Sequence, residues 1–291
     1  MNYLLLTIIA LIWGSQYVFN TMALEVFTPF GLMTWRIFFG FITLSIFIAI
    51  IPKERQTSFQ LSTKLLGLFV LIGAVEAAIP FFLIAYGQLS VNTSITAIVM
   101  GLIPMMTILI EHMTQQRRSI QKEDIIGLSM AFIGLIVLIS PSNEVFNVSA
   151  KGLLAIVFAA LCFALALILM AKIPREISSL RASRFILLIY ALPLVSIWFY
   201  INYDVIPTDK TAWGSLLVLG IFASGIVYLL YLTLIRVAGA SFTALSNFLV
   251  PIVGTFLGVY FFHEPLTLNI LFALVLIVGG LLLTKPQKTN T

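Results

Sequence analysis

Two ionisable residues, Glu76 and Arg36, sit inside long apolar stretches, and chemistry in this chain starts from them. Glu76 lies about eleven residues from either end of its stretch, near the middle of a bilayer if the stretch is a spanning helix, where a carboxylate costs ~2.5–3.5 kcal/mol. Three chemistries fit so costly a residue. It could be an acid whose proton binding and release drive exchange, a carboxylate that meets a solute ammonium, or one half of an ion pair that fixes helix packing. Arg36 suits the third: it lies ~9 Å below the same surface and Glu76 ~16 Å, within reach of two long side chains. It could instead snorkel outward or hold a carboxylate or phosphate solute.

Other polar groups fall at spacings that matter. Trp13, Gln16 and Asn20 share one helical face, either lining a cavity or hydrogen-bonding a neighbouring helix. Pro80 follows Glu76 by four residues, so the carbonyl it leaves without a donor is Glu76's own, and the turn should be polar and bent. Ser246 and Asn247 lie one turn before Pro251, whose freed carbonyl is that of Asn247. Pro104 frees the carbonyl of Met100 in the same way. Tyr86, Tyr228 and Tyr231 could stack on a solute or anchor span ends at the interface.

Several chemistries find no support. His112 and His263 close different stretches on opposite faces of a membrane and cannot share a metal. Cys162 is the sole cysteine, which excludes an intramolecular disulfide and a cysteine metal site. No glycine-rich loop with lysine indicates ATP hydrolysis. Intramembrane proteolysis would need a Ser-His pair or two acids at one depth, and Glu76 has no acidic companion there. No cofactor is expected.

The elements that must position these residues are membrane helices. The chain of 291 residues is 61% hydrophobic and 9% charged, with a mean hydropathy of +1.12, far from the composition of soluble domains. A net charge of +5 would fit nucleic acid only if basic residues shared a solvated face, and here they occupy short loops between apolar runs. No nucleic-acid partner is expected. Ten apolar runs of spanning length are predicted, near 3–23, 30–51, 65–87, 92–112, 124–140, 151–171, 184–201, 212–234, 239–262 and 267–284. The first is read as a span rather than a signal peptide, because it has no basic flank and is too long. Of the 16 lysines and arginines, Arg36 is inside a span, only Lys151 and Lys210 fall on one side, and the rest fall on the other. The positive-inside rule then places both termini in the cytoplasm, with Glu25, Glu144, Asp204, Asp209 and Glu264 in loops on the opposite side. Asp204 and Asp209 read as solvated charges.

The spans form two halves. Asn92–Pro104 and Gly239–Pro251 align without a gap and share Ser94/Ser241, Thr96/Thr243, Ala97/Ala244, Leu102/Leu249 and Pro104/Pro251. Gly127 and Gly134 likewise align with Ala273 and Gly280, and Trp13-Gly14 aligns with Phe163-Ala164. Five helices per half is an odd number, so the second half enters the membrane the other way up, giving an inverted repeat. The expected fold is an all-α membrane protein of ten transmembrane helices in two inverted five-helix repeats, residues 1–140 and 149–284, with a cytoplasmic tail at 285–291. The last helix of each half, apolar on all faces, reads as lipid-facing support.

The two halves, Trp13-Gly14-Ser15, Trp35-Arg36, the A-x6-P signature of the fourth and ninth spans and His263-Glu264-Pro265-Leu266 together resemble the drug/metabolite transporter superfamily, and within it the bacterial EamA-type branch. The resemblance covers nearly the whole chain. The stretch from Pro251 through Glu264 to Gly279-Gly280 is its most specific part, and one departure is Arg117, thirteen residues past Pro104 where an acid would match. It implies a secondary transporter in the bacterial cytoplasmic membrane that exports small solutes, commonly amino acids or their derivatives, by alternating access through a central cavity; the site is expected at the midplane between spans 1, 3, 4, 6, 8 and 9. Drug-like or nucleotide-like solutes are the alternative cargo. A non-transporting scaffold is the alternative class, and an intramembrane enzyme a third. The candidate contacts for solute or proton are Glu76, Asn247, Trp13, Gln16, Arg36 and Ser246, with Pro80, Pro104 and Pro251 as helix breaks.

Overall fold

A computed structural model describes residues 2–52, 54, 61–115, 122–139, 149–201, 207–239, 242–243 and 246–283. Among them the regular structure is helical. The helices are α1 (Asn2–Leu24), α2 (Pro29–Ile50), α3 (Thr63–Gln88), α4 (Thr93–Met100 and Ile103–Gln115), α5 (Lys122–Ile139), α6 (Ala150–Met170), α7 (Ser179–Ile201), α8 (Lys210–Ala238), α9 (Ser246–Phe262) and α10 (Leu268–Leu283). Among the described residues seven helices are long and apolar enough to cross a membrane: α1 to α4 and α6 to α8. The other three contain shorter apolar stretches, Ile125–Gly134, Leu249–Phe262 and Leu268–Gly280.

Helix starts follow local chemistry. Thr28, Ser62, Asn92, Ser149 and Asp209 each accept a hydrogen bond from the first turn of the helix that follows, which satisfies backbone donors that have no partner inside the helix. Asp209, exposed as a solvated loop charge would be, is also a cap on α8, accepting from the Ala212 N–H at 2.7 Å.

The principal packings are α1 on α9, α4 on α6, α3 on α6, α1 on α8, α2 on α8 and α3 on α7, together with α2 on α7, α4 on α9 and α5 on α10. Raising every number by five, modulo the helix count, converts the first six pairs into one another and leaves the last three unchanged. Close approach depends on small residues. A Cβ on Gly14 would fall 2.6 Å or less from Val253, and one on Gly280 would lie 2.6 Å from the Gly127 carbonyl. Gly134 meets the Ala273 carbonyl in the same interface, so the two glycine patterns aligned in the sequence face each other across α5 and α10.

Among the described residues, departures from regular α-helix occur in three places. In α3 the segment Ala74–Ala78 is π-helical, and in α8 so is Leu219–Ile226. The chain turns at Gly101 and Leu102, which splits α4 two residues before Pro104. Pro104 then occupies the first turn of the second piece, where its missing N–H costs nothing. Pro251 lies within a helix that runs unbroken from Ser246 to Phe262. The two prolines therefore act differently: one follows a break and the other is absorbed. Part of the second repeated pattern, at 240–241 and 244–245, lies outside the described residues, as do Arg117, Glu144, Asp204 and the tail at 285–291.

Candidate functional site

The π-helical segments of α3 and α8 flank α2, and the candidate polar residues collect there. A π-turn adds a residue to the helical turn and leaves carbonyls free to accept from outside the helix, a feature often found at functional sites. The Ala223 carbonyl in α8 accepts from Trp13 Nε1 at 3.2 Å and from Arg36 Nη2 at 3.4 Å. The Glu76 carbonyl in α3 accepts from the Tyr228 hydroxyl at 2.5 Å. Glu76 is the residue whose carbonyl Pro80 leaves without a helical donor, and α8 supplies one.

Arg36 is fully buried and held on three sides. Its Nε donates to Ser224 Oγ at 2.9 Å, its Nη2 donates to Gln16 Oε1 at 2.5 Å, and its guanidinium carbon lies 3.6 Å from the centre of the Phe81 ring. Nη1 has no hydrogen-bond partner. Glu76 is 1% exposed, and its Oε1 also has no partner. The two charges interact electrostatically, but among the described residues no nitrogen of Arg36 comes within 4.0 Å of a Glu76 oxygen. The direct ion pair considered for these residues is not formed in this structure.

Beside this cluster is a cavity of about 20 Å³ lined by Trp13, Gln16 and Tyr17 of α1, Ile103 of α4, Phe163 of α6, Tyr231 of α8, and Asn247 and Val250 of α9. That is room for a water rather than a metabolite. Trp13 packs edge to face on Tyr231 with ring centres 4.6 Å apart. Trp13, Gln16 and Asn247 therefore meet at one cavity. Arg36 lies directly behind Gln16, and Glu76 is not on the cavity wall. Ser246 faces away into its own helix end, donating to the Thr243 carbonyl at 2.8 Å. Tyr228 and Tyr231 are buried, whereas Tyr86 is exposed.

Asn20 does not join the cavity. It donates to Gln88 Oε1 at 2.9 Å, and Gln88 Nε2 in turn donates to the Tyr17 carbonyl at 3.0 Å. Of the two roles open to the α1 polar face, Trp13 and Gln16 take both, lining the cavity while bonding α8 and α2, and Asn20 takes helix-to-helix bonding alone. Glu264, expected as a loop charge, is buried instead. Its carboxylate accepts from the Thr93 N–H at 2.8 Å, the Ser94 N–H at 2.9 Å and the Ser94 hydroxyl, and so caps the start of α4. The reason is the unmet demand of the α4 N-terminus, whose free N–H groups and helix dipole attract a carboxylate. Ser224, Gln88 and Phe81 are not among the residues that the sequence picks out. Small or apolar residues in an apolar run carry no spacing signal of their own, and Gln88 falls at the very end of its run.

Comparison with known proteins identifies the fold. The profile of the EamA-like transporter family matches residues 1–140 and 150–285. The chain belongs to that family. Among similar proteins, the uncharacterized transporter YoaV of Bacillus subtilis is 23% identical over 94% of this chain and 92% of its own length. An uncharacterized transporter of Buchnera aphidicola is 25% identical over 97% of this chain and 93% of its own. A crystal structure at 17% identity superposes with a TM-score of 0.70 and covers 97% of both chains, which is likeness of fold alone. The EamA protein is thus a multi-pass membrane transporter of a small-molecule solute.

Proposed function

We propose that this EamA protein is a secondary active transporter that exports small metabolites, amino acids or their derivatives first among them, across the bacterial cytoplasmic membrane. It has ten membrane-spanning helices in two inverted repeats, 1–140 and 149–284, and both termini are cytoplasmic. The observation that carries this reading is the helix packing, whose pairs map onto one another on a shift of five helices around a central cavity lined by helices from both halves. Such pseudo-symmetry lets one half rock against the other about a fixed site, which is the usual basis of alternating access. The cavity as it stands has room for a water rather than a solute.

Trp13, Gln16 and Asn247 form the cavity wall, with Arg36 and Glu76 as the buried charges behind and beside it. Ser246 and the three prolines shape the helices that carry them. Glu76 serves as the proton-coupling group in this scheme. No catalytic step, cofactor or nucleic acid is involved.

Counterflow in liposomes tests the function. Purified protein should exchange at least one solute from a panel of amino acids, amines and carboxylic acids, and Glu76→Gln should remove the pH dependence of that exchange. If no solute exchanges and Glu76→Gln changes only thermal stability, the protein is a scaffold. If exchange persists in Glu76→Gln with its pH dependence intact, Glu76 does not couple protons. A reporter fused to either terminus that reads as external would overturn the assigned topology.

A further inference from the structure

The two π-helical segments occupy equivalent places in the two halves. The shift of 147 positions that carries Pro104 onto Pro251 carries Ala74–Ala78 of α3 onto 221–225, inside the Leu219–Ile226 segment of α8. Packing obeys the same shift: Gly73 of α3 meets Ile186 of α7, and Gly220 of α8 meets Phe39 of α2. Glu76 and Ala223 correspond under it, and both of their carbonyls accept donors from outside their own helix. Each donor comes from the opposite half. Tyr228 of the second half donates to the Glu76 carbonyl at 2.5 Å, and Trp13 and Arg36 of the first half donate to the Ala223 carbonyl at 3.2 and 3.4 Å. A helix bends most readily where its ladder of backbone bonds is interrupted, and a π-turn is one such place. Trp13 also lines the central cavity, so the α8 segment is tied directly to the cavity wall.

We propose that the π-segments of α3 and α8 are paired hinges, each latched by a side chain from the opposite half, and that Tyr228 and Trp13 are the positioning residues that hold them. The inference rests on the transporter reading above and supplies the moving parts of its alternating access. A bend at each segment lets the two arms of one helix move separately, so one end of the pathway opens while the other stays closed. The latches cross between the halves, so motion of one half against the other strains both. They are unequal: among the described residues the α3 latch has one donor and the α8 latch has two.

Cysteine labelling of the full chain in membranes tests this without any solute. In a Cys162→Ala background, which removes the native thiol, single cysteines replace Leu216 or Leu234 on the two arms of α8, or Ile72 or Ile84 on the two arms of α3. All of these positions are fully buried, so reaction with N-ethylmaleimide reports opening of that arm. Tyr228→Phe should raise labelling of at least one α3 reporter about 5- to 30-fold and leave the α8 reporters within about twofold, as expected for loss of one buried hydrogen bond. Trp13→Phe should raise at least one α8 reporter by about 2- to 10-fold, less because Arg36 keeps its bond, and leave the α3 reporters within about twofold. A variant that raises every reporter alike has lost ordinary packing, which overturns the inference, and so does one that changes none. Should the cysteine proteins fail to fold, hydrogen–deuterium exchange of the wild type decides: the amides of 74–78 and 219–226 should exchange faster than those of the flanking turns, and equal protection refutes the hinges. Labelling and counterflow fail separately. Absence of solute exchange defeats the transporter reading, whereas uniform labelling with exchange intact defeats only the hinges.

Discussion

Replacing Glu264 by alanine should destabilise the protein far more than a change in a polar connector normally does. The carboxylate accepts three hydrogen bonds at the start of α4, from the Thr93 and Ser94 N–H groups and the Ser94 hydroxyl. Asn92 already serves the Ile95 N–H, so it is not free to replace the missing acceptor. Hydrogen bonds to a charged group contribute ~1.5–3 kcal/mol each, but these share one carboxylate and are not additive, so the expected loss is about 2–4 kcal/mol. Ser94→Ala removes only the hydroxyl and should cost about 1 kcal/mol. Glu264→Gln keeps one acceptor oxygen but turns an NH2 toward a backbone donor, and should fall between them. Unfolding of the purified protein in mixed detergent micelles measures all three. A Glu264→Ala loss below ~0.5 kcal/mol would refute the capping argument, since that is the range of surface substitutions with no specific role.

Tyr228→Phe should cost ~1–2 kcal/mol, because the Glu76 carbonyl at the π-turn of α3 loses its donor in a buried position; the same unfolding assay reads it. Gly254→Val should cost ~1–3 kcal/mol or more by overpacking, since a side chain there collides with Ala97 and parts α9 from α4. Asn20→Leu should change stability by only ~0.6–1.7 kcal/mol, the size of a hydrogen bond between membrane helices, and leave exchange rates near wild type. A large transport defect in Asn20→Leu with normal stability would instead place that residue in the solute path.

Hydropathy depends only on neighbours along the chain, and so it makes the membrane class and most helix positions legible from the amino-acid order alone. The A-x6-P repeats and the later part of the second half, Glu264 through Gly280, likewise carry the family. Glu76 and Arg36 stand out for the same reason: a charge inside an apolar run is conspicuous wherever its side chain points. Pro80 even indicates which carbonyl needs a donor, since the bond a proline removes is local.

Partnership is not legible in this way. Arg36 meets Ser224 across 188 positions and Tyr228 meets Glu76 across 152, and neither Ser nor Tyr is distinctive in its own stretch. Glu264 reads as a loop charge because nothing near it in sequence needs a carboxylate, whereas the α4 N-terminus does. The order of residues thus accounts for the bilayer environment, for the two related halves and for the identity of the buried charges. Three features came from packing instead: Arg36 and Glu76 form no direct ion pair, α4 breaks while α9 does not, and Gln16 reaches the cavity while Asn20 does not. Composition fixes which segments leave water, but the rotation of each helix about its axis chooses which polar atoms meet, and close contacts such as Gly14 on Val253 and Gly280 on the Gly127 carbonyl set that rotation.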